Sequence, residues 1–229
     1  MARPVHRQRD ILCDLLESLS DLQWQAETMC EGWDAGDMVA HLLVRERDIW
    51  GSAGAVVPPL SRLHGARMAR RKARGRAVLI RQLRNGPPPW VTFGLFGRIQ
   101  VAEDYIHTED IRRGGATAFD GDADLTPDDG TADGATDELL WQAIGRFALK
   151  TFAGFGADGV LAMTDGGRTR AYQLGGAVPL PARDGQADVT VNGTAGELLL
   201  FTTGRRNADV TVNGEQAMMT ALEASGRSV

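Results

Sequence analysis

At 229 residues and 43% apolar content the chain can form one large domain or two small ones with a substantial core. Its net charge of −5 is uneven: residues 1 to 113 carry 17 Lys/Arg against 14 Asp/Glu and residues 114 to 229 carry 8 against 16, so the acidity sits mainly in a connector and singles out no partner. Two cysteines, Cys13 and Cys30, exclude a disulfide framework, a multi-cysteine zinc site and a Cys-x-x-Cys redox pair.

The N-terminus carries Arg3, His6, Arg7, Arg9 and Asp10 and lacks the apolar core of a signal peptide. No uncharged apolar stretch approaches the roughly 20 residues that span a bilayer, so the expectation is a cytoplasmic protein with no membrane partner. From Val5 to Leu22, Ile11, Leu12, Leu15, Leu16 and Leu19 recur at helical spacing, with Arg9, Asp10, Asp14 and Glu17 on the opposite face. Asp34 followed by Asp37 reads as an N-cap with an acidic first turn, opening a second helix through Met38, Val39, His41, Leu42 and Leu43 to about Trp50. Residues 51 to 59 read as loop.

Residues 61 to 85 carry nine Arg/Lys and no acid. Such a strip could meet phosphates, but it holds no aromatic residue for stacking, and a solvated helix face without nucleic acid is the preferred reading. Asn85-Gly86-Pro87-Pro88-Pro89 ends that helix, and Trp90 to Gly97 is an apolar connection that could close over a pocket. A further helix, about Arg98 to Arg113, stops at Gly114-Gly115. Residues 114 to 137 read as a flexible acidic connector. A helix from about Thr136 to Gly154 either completes the N-terminal bundle or starts the next domain.

Strand patterns follow. Val160 to Met163 and Arg170 to Leu174 flank the hairpin turn Asp165-Gly166-Gly167. Ala187-Asp188-Val189-Thr190-Val191-Asn192-Gly193 is repeated letter for letter as Ala208-Asp209-Val210-Thr211-Val212-Asn213-Gly214, and each copy leads into a helical run. The repeated unit is strand, Asn-Gly corner, helix. The expected architecture is α+β: a helical bundle over 1–155, including the connector, and a small α+β domain of about four strands and two helices over 156–229.

Chemistry concentrates in the helix of residues 98 to 113. Glu103 and His107 stand four apart and project from one helix face, with Asp110 a further turn along and the apolar Val101, Tyr105 and Ile106 beside them. Burying that pair without a metal or counter-charge would cost several kcal/mol, and His41 on the second helix is the candidate third ligand. Two imidazoles and a carboxylate with an open fourth position suit catalytic zinc, or ferrous iron. Asp110, or Glu109, could accept the free N–H of a ligating histidine. The bland alternatives are a helical Glu/His ion pair and a core histidine.

The runs from Thr28 to Asp34, from Asp37 to Glu46 and from Glu103 to Arg113 resemble the DinB-like proteins grouped with mycothiol-dependent maleylpyruvate isomerase, in a branch known only as metal-binding proteins. So does the tail from Gly196 to Arg205. The resemblance implies a DinB-like four-helix bundle, a sterol-carrier-like tail, and metal ligands at His41, Glu103 and His107. It also implies Zn2+ or another divalent ion, mycothiol as thiol cofactor, and a small electrophilic or carboxylate-bearing substrate. Arg205, or Arg45 one turn after His41, would then be the catalytic cation for the substrate carboxylate, although Arg45 could instead pair with Glu46 or Glu109. Trp33 and Trp90 are candidate pocket walls. The reading is a metal- and thiol-dependent isomerase or S-transferase, with a non-catalytic metal- or ligand-binding protein as the alternative. An apolar bundle face could pair a second copy into a homodimer.

Overall fold

The computed structural model describes residues 4–48, 50, 61–88, 95–128, 130–131, 134–175, 178–180 and 187–224. Trp90 and the loop of residues 51 to 59 lie outside the described residues. The chain forms two compact units, Met1–Pro127 and Asp128–Val229. Among the described residues no helix is long and apolar enough to cross a membrane.

The first unit is helical: α1 Pro4–Ser18, α2 Asp21–Gln25, α3 Ala35–Arg47, α4 Ser61–Lys72, α5 Arg76–Arg84 and α6 Leu95–Arg112. The apolar stripes meet in one buried cluster that joins Leu12 and Leu16 of α1, Val39, Leu42 and Leu43 of α3, Leu79 and Leu83 of α5, and Ile111 of α6. Capping boxes set two of the starts. Ser20 and Gln23 open α2, which is why the first helix ends at Ser18 instead of running to Leu22. Asp34 and Asp37 open α3 as their spacing predicted.

The basic stretch 61 to 85 is two helices, not one. Gly75 adopts φ +85° between them, a conformation that breaks the helix and that glycine tolerates best. Of its nine cations, Lys72 is held by Asp34 and Asp37 at 2.7 Å, Arg84 by Asp14 at 2.7 Å, and Arg76 by the Leu16 and Leu19 carbonyls while stacking on Trp24. Arg9, assigned by periodicity to the solvent face, is buried. It bridges Glu46 of α3, with a second contact at 3.0 Å, and Asp104 of α6 at 3.1 Å, tying three helices together. Burial pushes the Asp104 carboxyl up to about 6 against the pull of Arg9.

The loop between α2 and α3 clamps onto the end of α6. The Met29 N–H donates to the Asp110 carbonyl at 3.0 Å and the Gly115 N–H to the Glu27 carbonyl at 2.7 Å. A Cβ at Gly114 would stand 2.8 Å from Asp110 O, Glu27 O and Thr28 Cα, so this approach needs glycine. The start of the expected free connector is held as well. Residues Gly115–Ala118 form a short 3-10 turn, Gln23 donates to the Phe119 carbonyl at 3.1 Å, and Ala123 and Leu125 pack on the helical core.

The second unit contains α7 Gly134–Thr151, β1 Val160–Asp165, β2 Arg168–Gln173, β3 Val178–Leu180, β4 Val189–Asn192, α8 Ala195–Thr202, β5 Thr211–Gly214 and α9 Gln216–Ala224. The division between units therefore falls at Pro127/Asp128, ahead of the boundary at 155, because α7 packs on α8. The sheet has five strands in the order β3-β2-β1-β4-β5, where about four were expected; β1 and β4 run parallel and every other neighbouring pair antiparallel. Gly166 and Gly167, at φ +54° and +117°, form the two-residue β1–β2 turn. The two copies of the repeat pair with each other, Val191 opposite Val212, and Thr194 and Glu215 lead into α8 and α9. A Cβ at Gly214 would collide with the Asp188 carbonyl and lie 2.6 Å from Val189 Cα, so the repeat's glycine has a structural cause.

Candidate metal centre

Helix α6 is buried along its whole length from Val101 to Ile111 although half of those side chains are polar. Each acid there is paired. Asp104 is held by Arg9, and Glu109 by Arg112 at 2.9 Å and Arg113 at 2.8 Å. Glu109 is thus not the partner of a ligating histidine.

Glu103 and His107 face α3. One donor atom each from His41, Glu103 and His107 lie within 4.8 Å of one another, close enough to share an ion. The His107 Nε2 is 3.6 Å from Glu103 Oε2, and its Nδ1 bonds to Asp110 Oδ2 at 3.0 Å, the partner expected from sequence. The His41 and His107 rings meet edge to face, centroids 5.3 Å apart, and Trp33 lies 5.1 Å from His41 on another side. Arg45 pairs with Glu103, rather than with Glu46 or Glu109 as spacing had suggested; Glu46 is taken by Arg9. The reason is helical geometry: Arg45 is one turn from His41 and so reaches the same face of α6. Arg205 belongs to the second unit, where its Nη1 donates to the Thr203 carbonyl at 2.8 Å.

The electrostatics prepare the donors differently. Burial pushes the Glu103 carboxyl upward, but Arg45 and then His107 outweigh it and hold the group well below the carboxylate range, ionised. Burial, aided by His107, keeps His41 neutral, well below its usual value. Burial also opposes the charged form of His107, yet Asp110 and Glu103 together raise its pKa. Asp110 and Glu103 thus favour the protonated form of His107, and an entering cation would compete with that proton.

Two residues beside the cluster have no role assigned from the sequence. His64 of α4 is buried, with its Nε2 3.0 Å from His41 Nδ1. Cys30 Sγ donates to Asp110 Oδ2 at 3.5 Å, and Cys30, His107 and Asp110 form a second set of close donors. A signal for His64 existed: His64 and Met68, four apart, are the buried residues of an otherwise basic helix.

The helical unit that holds this cluster is similar to a known domain. Residues 5–112 match the model described as the Mycothiol maleylpyruvate isomerase N-terminal domain. The helical unit is therefore similar to that family's N-terminal domain, over just under half of the chain. All four groups of the cluster, His41, Arg45, Glu103 and His107, lie inside the matched mycothiol maleylpyruvate isomerase segment. The fold extends the likeness. A crystal structure of the mycothiol-dependent maleylpyruvate isomerase aligns with TM-score 0.52 at 15% identity, covering 93% of this chain and 91% of that one. The structure of a histidine-to-alanine mutant of that isomerase aligns with TM-score 0.50 at 14% identity over the same shares. No curated protein sequence gives a significant match.

Proposed function

We propose that this protein is a metal-dependent enzyme of the mycothiol-dependent isomerase or thiol S-transferase type, with zinc held by His41, Glu103 and His107. The observation that carries the reading is the convergence of three donor atoms within 4.8 Å, each in or one proton from its ligating form, inside a mycothiol maleylpyruvate isomerase N-terminal domain. The bundle is read as a DinB-like four-helix bundle, supported by the core that α1, α3, α5 and α6 share. The second unit is read as a sterol-carrier-like domain.

A cation bound there supplies the charge that keeps a coordinated thiol ionised, so that the thiol of mycothiol can add to an electrophilic substrate. The chain's own groups do the rest. His41 offers a neutral imidazole and Glu103 a carboxylate that Arg45 keeps ionised. Asp110 takes the His107 Nδ1–H and so directs Nε2 toward Glu103. Arg45, with its side chain 30% exposed, reaches from the buried carboxylate toward solvent and is the first-unit candidate for a substrate carboxylate. Arg205 is the candidate from the second unit.

The test is turnover of maleylpyruvate with mycothiol. Zinc-loaded protein is expected to be active and chelated protein inactive, and R45A is expected to raise KM more than it lowers kcat. No thiol-dependent turnover of this or another unsaturated acid, with zinc bound, would favour the alternative of a non-catalytic metal- or ligand-binding protein.

A further inference from the structure

The two candidate ligand histidines are oriented by different means. His107 leans on a carboxylate, whereas His41 leans on another imidazole. We propose that His64 is a positioning residue for the metal centre: its Nε2 accepts the Nδ1–H of His41, fixing the tautomer that leaves the His41 Nε2 lone pair for a metal. The proposal rests on the reading of His41 as a ligand.

The geometry supports this role. His41 Nδ1 and His64 Nε2 are 3.0 Å apart and the rings meet at 79°, edge toward face. A neutral imidazole has one N–H and one lone pair, so one ring must donate and the other accept. Were His64 Nε2 the donor, His41 would carry its proton on Nε2 and present no lone pair there. The reverse arrangement leaves His41 Nε2 available. His64 is held in place by its helix. Met68, one turn on, packs with Ala40 and Val44 of α3, and Lys72, a further turn on, bonds to Asp34 and Asp37 at the start of α3. Trp33, 5.1 Å away, confines the His41 ring from another side. His64 itself is absent from the sets of donors that converge with Glu103 and His107 among the described residues, so it acts through His41 rather than on the ion.

The test compares zinc affinity, by competition with a chromophoric chelator, for the parent chain, H64L and H64Q. H64L, which leaves the His41 N–H without an acceptor, is expected to weaken zinc binding by roughly 10- to 100-fold. H64Q, whose side-chain carbonyl can accept the same proton, is expected to recover most of that loss. Equal affinity in H64L and the parent would overturn the proposal, as would a loss in H64Q as large as in H64L. Nitrogen-15 NMR of the zinc-loaded parent reads the tautomers without any substitution. A proton on His41 Nδ1 and none on His64 Nε2 is the expected pattern, and the opposite pattern overturns it. A parent chain that takes up no zinc would overturn the metal centre itself, a failure distinct from that of His64.

Discussion

At the scale of single residues, the cluster is a matter of charge balance. Glu103 and Asp110 are acids in a buried site, Arg45 supplies one positive charge, and the two acids favour the protonated form of His107. Because the fold raises the pKa of His107, its contribution to the stability of the metal-free protein is full below the ordinary histidine pKa of about 6.5 and is lost as pH rises through the raised value. A cation must expel that proton. Zinc affinity should therefore climb with pH across and beyond about 6.5, with proton release visible when binding heats are measured in buffers of different ionisation enthalpy. A pH-independent affinity with no proton release would contradict this balance. The sequence made His41, Glu103, His107 and Asp110 legible because three of them share one helix face and the motif supplied the fourth. It hid His64 and the partner of Arg45, since both contacts join residues 23 or more positions apart, where no periodicity reaches.

At the scale of elements, buried ion pairs and glycine geometry explain where periodicity misled. The polar residue Arg9 sat on the predicted outer face of α1, yet Glu46 and Asp104 draw it into the interior and with it lock α1, α3 and α6. Removing one partner strands buried charge. R9A is expected to cost about 3–5 kcal/mol in urea unfolding, and a loss below about 1 kcal/mol would show that the network is solvated. Local signals were read correctly where the determinant was local: the Asp34/Asp37 cap, the Gly166-Gly167 turn and the strand-corner-helix repeat. The break at Gly75 was missed because an isolated glycine inside a helical pattern is often tolerated, and only the packing of α4 and α5 on α3 reveals the turn.

At the scale of the molecule, α+β was legible from the switch between helical and strand periodicity, whereas the limit between the units was not. The run from Leu139 to Phe152 is amphipathic and would suit either unit; the surface it covers on α8 lies some 50 residues downstream. Since all three candidate ligands belong to the first unit, zinc should slow amide exchange in α3 and α6 and leave the five-stranded sheet unchanged. Equal slowing throughout the sheet would show that the metal acts elsewhere. The most direct measurement is the metal content of the purified protein by elemental analysis, beside H41A and H107A variants with folding followed by circular dichroism. About one zinc per chain is expected in the parent, with its loss from both folded variants. A parent without metal that takes none up on titration, or variants that retain it, would overturn the metal centre and leave these residues as a buried polar cluster.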